Sequence, residues 1–318
     1  MEPLRQSPGN GCDPVERNTR FPPPGPPILR EMRKLRRLLV IPLLLALVTT
    51  AACGKDHPAD VVRIGVNDLA LPHWDVYKRK AAEAGITVEF TNFTDYNQPN
   101  PALAQGRVDL NKFQHVRYLA NYNARNNDTL VPIGATEIFA LTLYSKKHKS
   151  VADIPQGGEI TLSNNPANQV RPLLSLAAAG LIVLKGGGTW DSKLEDVDKS
   201  ASKVRLTPID PTLTAQSLES VDAAFVDDTF AVPAGLGKKD TIYTDDPNRA
   251  DLKQYINIFA ARAADKDNPT YLKLAELYHD PEVEAAIRAE AGYDGIFKTN
   301  SAADLQSTAT ELEAKFRK

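Results

Sequence analysis

The sequence predicts an α/β fold of two lobes with a cleft between them. Three observations predict it. Beyond Lys55, short β-type runs alternate with helical ones, the pattern of mainly parallel sheets flanked by helices. The basic run Lys146-Lys147-His148-Lys149 then breaks the series, and a second βα series follows. An apolar, β-prone stretch over residues 255–260 finally returns the chain towards the first lobe. Two lobes joined by more than one strand are built to close about a hinge. The first lobe is expected to comprise residues 61–144 plus 255–318, and the second 145–254.

The N-terminal part is unlike the rest. Residues 1–31 hold 8 of the 23 prolines, including Pro22-Pro23-Pro24-Gly25-Pro26-Pro27, and too little apolar periodicity to offset the entropy of ordering. A disordered leader is expected there, with Met32 as the start of translation and Cys12 outside the native product. Residues 32–52 read as a secretory signal peptide. Arg33, Lys34, Arg36 and Arg37 precede an apolar run over 38–48, which Pro42 interrupts, and Thr49-Thr50-Ala51-Ala52-Cys53-Gly54 follows. That run is too short to span a bilayer, which takes about 20 apolar residues. Ala51-Ala52-Cys53-Gly54 resembles a bacterial lipobox, which makes Cys53 the lipidated first residue of the mature protein. Several acyl chains, palmitate among them, would anchor it stably on the extracytoplasmic face of the membrane, because a single chain binds only marginally. Residues 53–60 form a polar tether.

The elements follow in order. Residues 61–66 read as a strand, 73–84 as a helix closed by Gly85, and 86–90 as the next strand. A loop over 91–100 ends in Gln98-Pro99-Asn100. Residues 108–113 are strand-like and 114–123 helical; two β runs follow at 130–133 and 138–144. In the second series 159–162 is a strand and 166–179 a helix ending at Gly180, with Pro172 forcing a kink or a later start. Residues 204–209 and 221–226 are further strands, and 281–291 and 302–316 are amphipathic helices.

Charge and motifs exclude several function classes. With 38 Lys+Arg against 40 Asp+Glu the chain carries a formal charge of −2, which argues against a nucleic-acid binder. Two cysteines exclude a disulfide scaffold, and with none beyond Cys53 no thiol catalysis is expected. The sequence has no G-x-S-x-G elbow, no H-E-x-x-H, no P-loop and no G-x-G-x-x-G. His57, His73, His115, His148 and His279 include no i, i+4 pair, so no metal is expected, and no cofactor.

Three segments put polar residues at strand-to-helix junctions, where α/β sheets bind ligands. In the stretch from Asp109 to Tyr118, His115 and Tyr118 share a helix face, with Phe113 just before them. By itself this segment reads as a helix with an ordinary core Phe and Tyr. In Asn164-Asn165-Pro166-Ala167-Asn168-Gln169-Val170-Arg171, Asn165 is an N-cap with Pro166 at the first helical position, and Asn168 and Arg171 lie three apart. A helix start beside an arginine suits a carboxylate, and a solvated arginine in a turn fits the segment as well. The strand over 221–226 ends in Asp227 and Asp228; Asp227 could accept from a ligand ammonium, or both acids could simply begin a helix.

Together with Asp95-Tyr96-Asn97-Gln98-Pro99-Asn100, Tyr144-Ser145-Lys146-Lys147 and Tyr255-Ile256-Asn257-Ile258, these segments resemble the MetQ/NlpA family of methionine-binding lipoproteins of ABC importers. The likeness runs from Ile64 to about Phe297. It implies a periplasmic-binding-protein-like fold closing over methionine or a close relative, delivered to a membrane permease driven by an ATPase, with no enzymatic turnover. By that resemblance Tyr96, Phe113, His115 and Tyr118 line the pocket from one lobe and Asn168 and Arg171 from the other, Arg171 holding the carboxylate. Asp227 and Phe230 stand where the family usually has Asn and Tyr. Arg117 replaces a Pro, and Pro172 after Arg171 is also a departure. The alternative reading is a surface lipoprotein acting as an adhesin or signalling partner.

Overall fold

The computed structural model describes residues 61–290 and 295–318. The expected leader, signal peptide, Cys53 and tether lie outside the described residues. In chain order the elements are β1 (Val61–Val66), α1 (His73–Glu83), β2 (Thr87–Asn92), α2 (Pro99–Ala104), β3 (Leu110–His115), α3 (Val116–Asn126), β4 (Leu130–Ala135), β5 (Glu137–Ile138) and β6 (Thr142–Tyr144). They continue with β7 (Gly158–Ser163), α4 (Val170–Ala178), β8 (Val204–Ile209), α5 (Thr214–Ser217), β9 (Ala223–Phe225), α6 (Asp228–Ala231) and β10 (Thr241–Thr244). The last are β11 (Asn257–Arg262), α7 (Pro269–Leu277), α8 (Pro281–Arg288), β12 (Ile296–Phe297) and α9 (Ala302–Phe316).

Two five-stranded sheets form the lobes, in the orders β2-β1-β3-β11-β4 and β10-β6-β9-β7-β8. Both are mixed, where the βα alternation predicts mainly parallel pairing. β1 runs parallel to β2 and β3, but β11 is antiparallel to both β3 and β4. Likewise β7 is parallel to β8 and β9, while β6 is antiparallel to β9 and β10. The antiparallel members β6 and β11 follow the two passages between the sheets, so no helical crossover dictates their direction. The run expected at 138–144 is in fact two short strands. β5 pairs with β12, and β6 enters the second sheet, so β6 belongs with the second lobe and not with the first as the boundary at Tyr144 implied.

Period-two alternation gives each sheet two apolar faces. On β11, Ile258 and Ala260 meet Leu119 of α3 and Leu305, Ala309 and Leu312 of α9 on one face. Phe259 and Ala261 meet Trp74 and Tyr77 of α1, Leu274 of α7 and Val283 of α8 on the other. In the second sheet Ala223 and Phe225 face Leu173 and Leu176 of α4, and Ala224 and Val226 face Leu218 and Ala231. Local signals set the ends: Gly85, at φ 77°, follows the last turn of α1 in a conformation that costs glycine little. The expected helix over 166–179 becomes a single 3-10 turn, Pro166–Asn168, followed by α4. Pro172 is the third residue of α4, where its missing N–H has no intrahelical partner to lose, so the later start replaces a kink.

A buried amide cluster fixes the end of β3. Asn100 donates to Gln114 Oε1 (2.7 Å), Asn111 donates to Asn100 Oδ1 (3.0 Å), and Gln114 Nε2 donates to Asn100 Oδ1 (2.6 Å) and Asn111 Oδ1 (3.0 Å). The cluster binds α2 to β3 beside a bulge. Ile258 pairs with Gln114 and Phe259 with Lys112, leaving Phe113 as the extra residue of β3. Substituting Asn100 by Leu leaves two buried amides short of partners and is expected to lower stability by about 1–3 kcal/mol, measured by urea unfolding.

Candidate functional site

The bulge at Phe113 and the helix start after β3 present one wall of a cleft. His115 is the N-cap of α3, and its Nδ1 accepts from the Tyr118 backbone N–H at 3.1 Å. That bond fixes the tautomer: Nε2 carries the proton and donates to Asn168 Oδ1 at 3.1 Å across the cleft. Burial, reinforced by the charge of Arg117, pushes the His115 pKa down to about 3, so the ring stays neutral at physiological pH. The Tyr118 hydroxyl donates to the Tyr96 carbonyl at 3.1 Å. Tyr96, Phe113 and Tyr118 form an aromatic corner with ring centroids 5.7–6.4 Å apart, within the range of favourable ring contacts.

The second lobe supplies the opposite wall. Asn165 caps the 3-10 turn, accepting from the Ala167 N–H at 2.9 Å, as the Asn-Pro signal predicts. Asn168 then faces His115, and Arg171 lies in the first turn of α4. Arg171 Nε and Nη2 donate to the two oxygens of Asp245 at 2.6 and 2.7 Å, and Nη2 also donates to the Phe139 carbonyl at 2.9 Å. Its guanidinium carbon lies 5.2 Å from the Tyr255 ring centre. The two-pronged grip that would suit a ligand carboxylate is therefore already taken by Asp245. What Arg171 offers the cleft is Nη1, held in place by a charge-assisted clamp behind it.

One cavity of about 750 Å³ joins these groups, with Tyr96, Phe113, His115, Tyr118, Asn168, Arg171 and Asp227 among its lining. Phe230 is not part of that lining. α6 begins at Asp228 and turns the Phe230 ring into the packing behind the wall, with its centroid 5.3 Å from Tyr96. Asp227 precedes α6, but its side chain accepts no capping hydrogen bond and faces the cavity instead. Burial pushes its pKa up to about 6, against the opposing pull of Arg171 and the Tyr96 hydroxyl. Arg117 is buried away from the cleft, where Nη1 donates to Gln254 Oε1 at 2.9 Å and the guanidinium stacks over Phe316.

Gln114, Phe139, Tyr255 and Asn257, none of them assigned to the pocket from the sequence although Tyr255 and Asn257 lie in a segment that carries the resemblance, also line the cavity, and Asp245, equally unassigned, clamps Arg171. Tyr255 and Asn257 had a usable signal, since residues two apart entering a strand share a face. Asp245 had none, being 74 positions from Arg171.

Residues 62–299 match the NlpA lipoprotein family. The methionine-binding lipoprotein MetQ of Bacillus subtilis strain 168 is 34% identical over 272 residues, covering 82% of this chain and 97% of that protein. Among solved structures, protein PG110 from Staphylococcus aureus has a TM-score of 0.74 at 34% identity, covering 79% of this chain and 99% of that one. A nutrient binding protein from Burkholderia cenocepacia bound to methionine has a TM-score of 0.69 at 33% identity, covering 74% and 99%.

Two outcomes follow from the charges in the cleft. Arg171→Ala strands the Asp245 carboxylate, 2% exposed, without its cation and is expected to cost about 3–5 kcal/mol in urea unfolding. Asp227 has a folded pKa near 6, above its unfolded value of about 3.9, so its contribution to stability is complete below about pH 4 and is lost as pH rises through 6. Asp227→Asn should therefore raise the melting temperature of the ligand-free protein at pH 8 and leave it nearly unchanged at pH 4.

Proposed function

The chain belongs to the NlpA lipoprotein family, and from that membership and the geometry of the cleft we propose that it is a lipid-anchored substrate-binding protein for methionine or a close relative. It captures the amino acid outside the membrane, held there through Cys53, and hands it to an ABC permease and its ATPase. It binds and releases without turnover. The observation that carries this reading is the convergence, in one cavity between two lobes, of an aromatic corner, an arginine and a buried carboxylate.

Each part of an amino acid has a partner of the right chemistry. The carboxylate meets Arg171 Nη1. The ammonium meets Asp227, whose negative charge suits a cation and not the acid end of the ligand. The side chain lies against Tyr96, Phe113 and Tyr118, where a thioether gains from sulfur-ring contacts of about 0.3–1.5 kcal/mol each. His115 and Asn168 bridge the lobes and close the cleft behind the ligand. Closure excludes water and strengthens the polar contacts, because the same charges interact more strongly at lower dielectric.

Calorimetry on the protein truncated at Cys53 tests the proposal. L-Methionine should bind with measurable heat and raise the melting temperature; neither heat nor a thermal shift with L- or D-methionine would sink it. Because the ammonium needs the ionised form of Asp227, affinity should fall as pH drops below about 6, approaching tenfold per pH unit, and Asp227→Asn should flatten that dependence. Phe113→Ala should weaken binding by roughly tenfold or more while leaving the urea midpoint close to wild type.

A further inference from the structure

The chain between α4 and β8 carries a loop that reaches beyond its own lobe. Leu184 and Val197, both buried in the core of the second lobe, pair as an isolated antiparallel bridge and staple the base of the loop. Gly186, Gly187 and Gly188 follow at φ 75°, 82° and 84°, three successive left-handed residues that only glycine adopts at little cost. They lead to a tip at Trp190-Asp191, which is tied into a turn. The Thr189 N–H donates to Ser192 Oγ at 2.8 Å, the Ser192 N–H donates to the Thr189 carbonyl at 3.1 Å, and the Thr189 hydroxyl donates to Asp191 Oδ1. A loop stapled at its base and folded at its tip loses little further entropy when it docks.

The tip meets the first lobe. Lys315, in the last turn of α9, holds its Nζ 4.5 Å from the centre of the Trp190 ring, and α9 packs on the first sheet. The next residue, Phe316, carries the guanidinium of Arg117 over its own ring at 5.0 Å. Arg117 is 2% exposed and its Nε has no hydrogen-bond partner; among the described residues no carboxylate lies within ion-pair distance of it. Burial pushes its pKa down, opposed by the Tyr255 hydroxyl and by Asp191, which is the carboxylate whose charge bears on it. An arginine taken out of water calls for an anion, and the loop tip brings one towards it.

None of Arg117, Trp190, Asp191 and Lys315 lines the cavity, so the loop acts on the lobes and not on a ligand directly. Inside the cleft the lobes meet through His115 and Asn168, and through Asn67, whose Nδ2 donates to Thr229 Oγ1 at 3.3 Å. The loop adds a contact outside it. We propose that residues 185–192 form a strap that ties the second lobe to the first, with Trp190 seated on Lys315 and Asp191 beside Arg117, and that this strap favours the closed arrangement of the lobes and slows their opening. A contact made only while the lobes are together raises the population of that state by its own free energy, wherever on the molecule it lies. A cation against an exposed tryptophan is worth about two- to fivefold in such an equilibrium. That is enough to tune how long a ligand stays, and too little to trap it.

Of the two tryptophans in the chain Trp74 is 2% exposed, so acrylamide quenching of the ligand-free protein reads Trp190. Lys315→Glu, which removes the cation from the ring and repels Asp191, should raise the quenching constant about twofold, and Lys315→Arg should leave it near wild type. Small-angle scattering of the ligand-free protein should give Lys315→Glu and Trp190→Ala a larger radius of gyration than wild type. Stopped-flow release of L-methionine, a ligand that rests on the amino-acid reading of the cleft, should be about two- to fivefold faster in both variants, with Lys315→Arg restoring the wild-type rate. Adding Lys315→Glu to Trp190→Ala should have little further effect, since one contact is lost only once. Quenching or a radius of gyration unchanged by Lys315→Glu overturns the strap, whether or not methionine binds. Release at the wild-type rate from both variants overturns its hold on the ligand. Changes in quenching and radius in a protein that binds no methionine keep the strap and overturn the amino-acid reading instead.

Discussion

The ion pair between Arg171 and Asp245 ties together parts of the chain that must stay in register for the cleft to exist. Asp245 follows β10, Arg171 opens α4, and both reach the segment by which the chain passes from the first sheet to the second: Arg171 donates to the Phe139 carbonyl, and Asp245 Oδ1 accepts from the Leu141 N–H at 2.8 Å. Asp245 follows the last strand of the second sheet, so the pair joins the way into that lobe to the start of the way out. A buried pair of this kind is costly to desolvate and adds little net stability, but it is expensive to break on one side. Its value here is positional, because it fixes the direction of the one guanidinium nitrogen left for a ligand.

That arrangement also explains how the cleft holds so many acids. Asp245 is spoken for by Arg171, leaving Asp227 to rely on a distant share of the same cation, and burial raises its pKa. A carboxylate poised in this way answers strongly to an incoming positive charge. His115 contributes in the opposite manner. Neutral, and held in one tautomer by the helix start it caps, it donates a hydrogen bond across the cleft without adding a charge that would have to be solvated.

Much of this was legible in the sequence wherever local chemistry decides structure. The strands at 61–66 and 204–209, the turn at Gly85, the Asn165-Pro166 cap and the helix from Ala302 follow from periodicity and capping residues. The segment 138–144 was not legible as two strands, because a β-prone run broken only by Thr142 carries no mark of where one sheet hands over to another. α7 could have been found, since Asn268 and Pro269 repeat the cap signal of Asn165 and Pro166 and the Asn268 side chain accepts from the Thr270 N–H. Of the eight side chains expected at the ligand, seven line the cavity, and Phe230 packs behind it, because a residue's place in a short helix depends on where that helix begins. Partners distant in the chain, such as Asp245 for Arg171 or Glu137 for Lys112, leave no local trace.

β11 lies in the middle of the first sheet, between β3 and β4, yet it is made after the whole second lobe. Until residue 262 has emerged, β3 and β4 face each other across a missing strand, and the first lobe cannot close its core. The second lobe, continuous in sequence, has no such debt and can form early. The consequence is a delay: the lobe that holds β1 cannot lock until residue 262 has been made, so β1 to β4 stay open throughout synthesis of the second lobe.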